Sequence, residues 1–405
     1  TVYWNESPVV YLPLSFLHNG VPQMRLKATW TPPVHAKPNA ELPEDLNGEL
    51  LSILSRWNVC SKEKLIRQYD HEVQAGSVVK PLIGVGNDGP SDAAVQRPML
   101  DRYLGVAIGC GIAPRYSDID TYWMMACVID EAVRNIVSVG ANPDHMAGLD
   151  NFCWCDPVQS EKTPDGEYKL AQLVRANKAL YDICMAYHIP CISGKDSMKN
   201  DYSIGGSKIS IPPTVLFTAV GVVPDVRKAI TADFKEPGNL IYVLGMTRDE
   251  LGASEYYASK GCVGNEVPKV MDPKLSIASY RALFRAVSEG LVASIHDLSD
   301  GGLGVALAES AFSGGIGATV NLASLAYEGS KRDDFLLFSE TPCRLLISIP
   351  PSKKQLFERA MDGFPLSLVG ETSVHPLLIV NGLAGDTVIR VNIYDLKKAW
   401  QAPGL

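Results

Sequence analysis

The pattern of apolar and polar positions is most informative near residue 300. Residues 291–295 form a short apolar run typical of a buried strand, and residues 304–312 place apolar side chains at helical spacing. The polar segment between them contains Asp297, Ser299 and Asp300, followed by two adjacent glycines. The pattern therefore predicts a strand, a glycine turn and a helix, with carboxylates and a hydroxyl at the turn.

This turn has two interpretations. Carboxylates are good ligands for a hard cation, glycines allow close backbone approach, and a helix N-terminus attracts phosphate. The segment is therefore suited to a phosphate with its magnesium ion. The alternative is that Ser299 or Asp300 simply caps the helix.

A second polar constellation lies on a predicted helix upstream. The helix spans residues 121–139, is capped by Asp120, and is apolar nearly all round, which predicts burial. It carries Glu131 and Asn135, which are four positions apart and so project from one face. A buried carboxylate needs a cation or an ionic partner. We favour a bound divalent cation over the alternative, a salt bridge to Arg134.

The remaining pattern mixes strands with helices. Residues 91–95 and 104–109 are predicted strands, and Asp92 stands at the head of the first. Residues 189–197 predict a strand that enters a turn carrying glycine, lysine and serine. Neither a dinucleotide-binding glycine motif nor a Walker motif is present. The fold class is therefore α/β (α+β), without a Rossmann or Walker unit.

The chain divides into three predicted regions. Residues 1–47 are rich in proline and are expected to form a connector, with one strand near Met24–Trp30. Residues 48–225 are expected to form an N-terminal domain, and residues 226–405 a C-terminal domain. A connector at the start suggests a preceding segment, and the length of 405 residues is ample for two cores.

Composition narrows the classes of function. The net charge is −8 and no run of Lys or Arg exceeds two residues, which argues against a nucleic-acid partner. No apolar run is long enough to span a bilayer, and the start has no signal-peptide pattern. The nine cysteines are scattered and lack zinc spacing, as expected of reduced thiols in a cytoplasmic protein.

The sequence motifs also resemble a known family. His296–Leu303 resembles the signature of the aminoimidazole ribonucleotide synthetase-like superfamily, and other stretches resemble the phosphoribosylformylglycinamidine synthase family within it. The matching stretches are Ser61–Glu63, Gln68–Val73, Asp92–Val95, Asp130–Asn135, Ser193–Ser197, Glu250–Tyr256 and Leu337–Glu340. The resemblance covers nearly the whole chain.

The resemblance implies a two-domain, synthetase-like fold. Its N-terminal domain is β-rich and pairs into a shared barrel, and its C-terminal domain is α/β. The chain is similar to the second half of the synthetase part only. The family's catalytic histidine belongs to the first half and its catalytic cysteine to a glutaminase domain, so no catalytic residue is expected here. The expected partners are that first half and a glutaminase, and a homodimer through the N-terminal domain is an alternative.

Site residues follow from the resemblance position by position. It implies that magnesium is bound by Asp92, Glu131, Asn135 and Asp297. It also implies that Ser91, Ser299 and Lys62 contact ATP or ADP.

Three further positions are implied to reach the active site proper. Asp150 and Gly194 would contact nucleotide there, and Ser197 the phosphoribosyl substrate. Lys195 replaces a metal-binding Asn of the family's short form, which puts metal binding at this position in doubt.

The implied activity is an ATP-dependent carbon–nitrogen ligation in de novo purine biosynthesis. Formylglycinamide ribonucleotide would be converted to formylglycinamidine ribonucleotide with ammonia from glutamine. One alternative is a structural half-module that holds Mg-ADP without activity of its own. Another is a different ATP-using kinase or synthase of the superfamily.

Overall fold

The structure is a computed structural model that describes residues 1–36, 38, 41–72 and 74–403. Val73, the last residue of the family-like stretch 68–73, therefore lies outside the described residues. Within the described residues, no helix combines the length and apolar character that crossing a bilayer requires.

The chain begins with an exposed arm. Strands β1 (Val2–Trp4) and β2 (Ser7–Val10) form an antiparallel hairpin, and helix α1 (Leu14–Asn19) follows it with no buried residue. The prediction of a strand near Met24–Trp30 is wrong, because this segment lies along the helix that begins at Gly166 and pairs with no sheet edge among the described residues. Thr29 donates its amide to the carbonyl of Glu167 (3.1 Å), and Trp30 stacks on Tyr168.

The N-terminal region is built on a six-stranded sheet with the order β3-β6-β7-β12-β8-β9. Neighbouring strands are antiparallel except β8 and β9, which are parallel and joined by helix α5. Its helices are α3 (Glu63–Ile66), α4 (Thr121–Ser138) and α5 (Gly166–Tyr187). Helix α2 (Leu46–Leu54) precedes them in the chain, but its buried side chains belong to the hydrophobic core of the C-terminal region. The strands are β3 (Ser77–Val79), β4 (Leu82–Ile83), β5 (Gly89–Pro90), β6 (Ala93–Gln96), β7 (Gly105–Ile112), β8 (Met146–Cys153), β9 (Cys191–Ser197), β10 (Asp201–Ile204), β11 (Ser207–Ser210) and β12 (Thr214–Val223).

Strand β9 differs from expectation. The predicted turn at Gly194–Ser197 is wrong, because the strand continues to Ser197 in parallel register with β8. The ladder hydrogen bonds to β8 outweigh the turn preference of a glycine and a serine. The whole of β9 lies at the exposed edge of the sheet.

Helix α4 is buried across one face of this sheet. Asp120 accepts a hydrogen bond from the amide of Tyr122 (2.8 Å) and caps the helix as predicted. The helix comes very close to β7, because a Cβ on Gly109 would lie 3.0 Å from that of Asn135, and one on Gly111 would lie 2.1 Å from the carbonyl oxygen of Val128. The opposite face of β7 is open, with Ile108 and Ile112 more than 40 % exposed.

The C-terminal region is built on a seven-stranded sheet with the order β15-β18-β13-β19-β16-β20-β21, antiparallel except between β16 and β20. The helices are α6 (Glu255–Ser259), α7 (Pro273–Ser288), α8 (Gly302–Gly314), α9 (Asp333–Phe338), α10 (Lys354–Ala360) and α11 (Ile393–Gln401). The strands are β13 (Leu240–Leu244), β14 (Thr247–Arg248), β15 (Ser294–Asp297), β16 (Gly317–Asn321), β17 (Tyr327–Glu328), β18 (Leu345–Ile349), β19 (Leu366–Ser373), β20 (Leu377–Asn381) and β21 (Thr387–Asn392).

A buried carboxylate joins the two regions. Asp130 of α4 is fully buried and accepts hydrogen bonds from the hydroxyls of Tyr187 (2.5 Å) and Tyr280 (2.6 Å) and from the amide of Cys343 (2.9 Å). Arg134, one turn further along α4, pairs with the same carboxylate at 3.0 Å. Asp130 therefore ties α4 to α5, to α7 and to the segment before β18.

We predict that Asp130→Ala lowers the free energy of unfolding by about 3–5 kcal/mol, because it leaves a buried guanidinium and two buried hydroxyls without their acceptor. Chemical denaturation followed by circular dichroism measures this change. The matched control is Asp182→Ala, which removes a partly exposed carboxylate of α5 that accepts from Tyr122 and Lys178. The control should lower the free energy of unfolding by less than about 1 kcal/mol. An equal decrease in both variants would contradict the proposed role of Asp130.

Candidate functional site

The turn after β15 positions the first part of the site. Gly301 and Gly302 have φ of 79° and 65°, a left-handed conformation that glycine adopts without strain. No side chain caps α8, so the capping alternative for Ser299 and Asp300 is wrong. The amide of Gly301 instead donates to Glu340 (2.9 Å), which fixes the turn.

An acid from the other sheet meets this turn. Asp92 lies just before β6, and its carboxylate accepts from the backbone amide of Asp297 (3.2 Å) and contacts Nδ1 of His296 (2.6 Å). Asp92, His296 and Asp297 each offer one ligand atom, and these atoms lie within 4.8 Å of one another. Residues about two hundred positions apart therefore converge, as the sequence predicted for Asp92 and Asp297.

His296 holds this arrangement on both sides. Its Nε2 lies 2.9 Å from Glu309 of α8, while its Nδ1 contacts Asp92. Burial alone would lower the pKa of His296, but the carboxylates of Asp92 and Glu309 raise it well above the ordinary value. The imidazolium therefore clamps Asp92 in place and offsets part of its charge.

Helix α4 supplies the second wall. Glu131 accepts from the amide of Ile112 (3.1 Å), and the amide group of Asn135 donates to the carbonyl of Cys110 (2.9 Å). These contacts aim the remaining oxygens of both side chains toward the cavity. Arg134 lies 3.5 Å from Asp297 and pairs with Asp130, so the alternative of a Glu131–Arg134 salt bridge is not found in the described part of the chain.

Two buried oxygens in this cavity have no hydrogen-bond partner among the described residues. They are Oδ1 of Asn135 and Oδ2 of Asp297, and both residues are more than nine-tenths buried. Buried acceptors are rarely left unpaired, because the lost hydration costs free energy. Three carboxylates and one amide oxygen are the donor set that a hard divalent cation takes. The residues present therefore fit a magnesium ion.

The charges in the cavity also favour a cation. Burial, followed by repulsion from Asp297, raises the pKa of Glu131 well above its ordinary value. Burial and repulsion from Asp92 raise the pKa of Asp297 to about 6. Burial and repulsion from Glu340 raise the pKa of Asp300 as well. The site carries more negative charge than its own residues neutralise.

Most of the predicted site residues share one cavity. A cavity of about 350 Å³ is lined by seven of them: Lys62, Ser91, Asp92, Glu131, Asn135, Asp297 and Ser299. Lys62 is engaged with its own loop, since its ammonium donates to the carbonyls of Trp57 (2.7 Å) and Cys60 (2.5 Å). The hydroxyl of Ser91 donates to the carbonyl of Ala93 (2.9 Å).

The other three predicted residues lie elsewhere. Asp150 of β8 and Gly194 of β9 are register partners, and Ser197 is the last residue of β9. None of the three lines the cavity. They form a separate polar edge of the N-terminal sheet, so their roles stay predictions.

Sequence reasoning missed several residues that shape the site. His296 and Glu340 stood in family-like stretches without a role, and Glu309 was not expected to take part. A helix-spaced acid in α8 is a weak signal by itself. Only the fold shows that Glu309 faces His296 and that Glu340 receives the amide of Gly301.

Comparisons with known proteins show which chains this one is similar to. The family described as "AIR synthase related protein, C-terminal domain" matches residues 236–379. The phosphoribosylformylglycinamidine synthase subunit PurL of Deinococcus radiodurans is 32% identical over 411 residues, covering 99% of this chain and 52% of that protein. PurL of Methanocaldococcus jannaschii is 35% identical over 369 residues, covering 90% and 47%. The chain thus spans about half the length of the curated relatives it matches.

Solved structures show the same fold. Thermotoga maritima PurL complexed with FGAR superposes with a TM-score of 0.67 at 20% identity, covering 88% of this chain and 54% of that one. A HypE–HypF complex matches with a TM-score of 0.54 at 12% identity, covering 75% of this chain and 93% of that one.

The fold is aminoimidazole ribonucleotide synthetase-like, and residues 236–379 match the C-terminal domain of that family. Within that class, the chain is a homologue of the phosphoribosylformylglycinamidine synthase subunit PurL, of which it matches about half.

We predict a pH-dependent effect of Asp297→Asn in the metal-free chain. The pKa of Asp297 is raised to about 6 from 3.8, so the folded chain binds this proton more tightly than the unfolded one. Stability therefore falls as pH rises through that interval, and the loss persists above it. Asn carries no ionisable carboxyl, so Asp297→Asn avoids this loss. Its free energy of unfolding should exceed that of the unaltered chain by about 1–3 kcal/mol at about pH 8 and differ little near about pH 4.

Thermal unfolding at both pH values, with a chelator present, measures the effect. Asp144→Asn is the control, because this exposed carboxylate pairs at the surface with Arg281 (2.6 Å), and its loss should change stability by below about 1 kcal/mol. If Asp297→Asn is less stable than the unaltered chain at the higher pH, the result would contradict the repulsion between Asp297 and Asp92.

Proposed function

We propose that the chain is a segment of an ATP-dependent carbon–nitrogen ligase of de novo purine biosynthesis. The segment would act in the conversion of formylglycinamide ribonucleotide to formylglycinamidine ribonucleotide with ammonia derived from glutamine. The observation that carries the proposal is the cavity lined by Asp92, Glu131, Asn135 and Asp297, in which two buried oxygens have no hydrogen-bond partner among the described residues. Support also comes from the curated relatives, which are named for this synthase.

The four oxygen ligands would hold Mg²⁺, which when bound supplies positive charge against the phosphates of ATP or ADP. His296 keeps Asp92 turned toward the cation, and the amide of Ile112 orients Glu131. Ser91 and Ser299 line the same cavity and are proposed to contact the nucleotide. Lys62 is proposed to contribute charge near the nucleotide while its ammonium stays bound to backbone carbonyls.

A second surface is proposed to face the reaction. Asp150 and Gly194 lie side by side on β8 and β9, and Ser197 follows on the exposed edge. We propose that these residues contact nucleotide and the phosphoribosyl substrate across an interface. Solved structures of T. maritima PurL include complexes with FGAR, ATP and ADP.

The proposed partners are the first half of the synthetase and a glutaminase. The open face of the N-terminal sheet, with Ile108 and Ile112, offers an apolar surface for the first half. A homodimer through the same face is the alternative occupant. Support for partner subunits comes from the solved structure of PurLQS from T. maritima. The proposed location is the cytoplasm, in keeping with nine free thiols.

A reconstitution assay tests the function. The chain is mixed with ATP, Mg²⁺, ammonia and formylglycinamide ribonucleotide, with and without the first half of a PurL relative. We expect turnover only when the first half is present. Turnover by the chain alone would contradict the need for that half. Absence of turnover in both mixtures, with ADP still bound, would favour a structural Mg-ADP module.

Nucleotide binding tests the site independently of turnover. Glu131→Ala and Asp297→Ala should each weaken Mg-ADP binding by at least about 100-fold, because each removes an oxygen ligand from the cation. Isothermal titration measures the affinity. Asp182→Ala, on the outer side of α5, should bind as the unaltered chain does. Unchanged affinity in both site variants would show that the nucleotide binds elsewhere.

A further inference from the structure

Two cysteines meet at the outer end of the N-terminal sheet. Cys184 lies in the last turn of α5 and Cys191 is the first residue of β9. Their sulfur atoms are 3.9 Å apart. This is a close contact of two thiols, and about 2 Å of approach would bring the atoms to disulfide distance.

The fold enforces this contact. His188 ends α5 in a left-handed conformation (φ 55°), and its amide and that of Ile189 both donate to the carbonyl of Cys184. The amide of Gly148 donates to the carbonyl of Pro190 (2.8 Å), which fixes the start of β9 beside β8. The turn between α5 and β9 therefore brings the side chain of Cys191 against the last turn of α5.

The pair is open to small molecules. It lies in a groove of about 520 Å³ lined by Leu180, Tyr181 and Met185 together with both cysteines. Cys191 is exposed and Cys184 is half-buried, whereas Cys127 is buried. Burial raises the pKa of both paired thiols, so the two sulfur atoms lie together as neutral groups without charge repulsion.

The pair faces away from the surface assigned to partners. The side chain of Cys191 lies against α5, because its sulfur atom is 3.9 Å from that of Cys184 on this helix. The groove is thus on the helical side, and a partner on the open face leaves it accessible.

We propose that Cys184 and Cys191 form a redox-modification site. A low-molecular-weight disulfide oxidises the two thiols, which then form an intrachain disulfide bond. The thiolate of Cys191 attacks one sulfur of the oxidant, which forms a mixed disulfide and releases one thiol. Cys184 then attacks the Cys191 sulfur, which forms the intrachain bond and releases the second thiol. Two protein thiols are oxidised while one small disulfide is reduced, and the two protons pass to the released thiolates. The proposal is independent of the proposed ligase function.

The test uses the full chain in glutathione buffers. Both cysteines lie on the single tryptic peptide 179–195, because no Lys or Arg occurs between Lys178 and Lys195. After alkylation and digestion, mass spectrometry should find this peptide two hydrogen atoms lighter, without alkyl groups and without glutathione. When total glutathione is diluted tenfold at a fixed ratio of disulfide to thiol, the ratio of closed to open pair should rise about tenfold.

Exposed Cys110 provides the internal standard, because its glutathione adduct depends only on the ratio and should not change on dilution. Cys184→Ser should leave Cys191 with a glutathione adduct, and Cys110→Ser should leave the closed pair unaffected. A peptide 179–195 that carries glutathione in parallel with Cys110 would overturn the proposal. A peptide that remains a free dithiol while Cys110 is modified would overturn it as well.

Discussion

The site depends on holding like charges together away from water. Asp92 and Asp297 approach each other from two different sheets, and burial makes their mutual repulsion costly. The chain offsets this repulsion only in part, with His296 on one side and Arg134 on the other. Such residual repulsion in a cavity is typical of functional sites, because a ligand of opposite charge removes it on binding.

The position of helix α4 explains how the folded chain holds these like charges together. Helix α4 contacts elements of both sheets. One of its turns carries Asp130, which stabilises the fold, and Glu131, which lines the cavity. Asp130 is saturated by two tyrosines, an arginine and a backbone amide, whereas its neighbour Glu131 faces the cavity with one amide donor. Adjacent residues of one helix thus serve stability and binding. The close approach at Gly109 and Gly111 sets the depth of that helix on the sheet.

Much of this could be predicted from sequence, because local patterns report local structure. Helix α4 and its Asp120 cap agree with expectation, since both depend on near neighbours in the chain. The contact of His296 with Asp92 could not be predicted from pattern, because it depends on how two sheets pack. The strand expected near Met24–Trp30 failed for the same reason: its hydrogen bonds go to a helix that sequence alone does not place beside it.

Anomalous X-ray diffraction from crystals grown with Mn²⁺ and ADP tests the central claim most directly, since manganese takes the oxygen ligands of magnesium and can be located without ambiguity. The account predicts a peak within bonding distance of Oδ1 of Asn135 and Oδ2 of Asp297, the two cavity acceptors that have no hydrogen-bond partner among the described residues. Saturated nucleotide with no manganese peak among Asp92, Glu131 and Asp297 would contradict it.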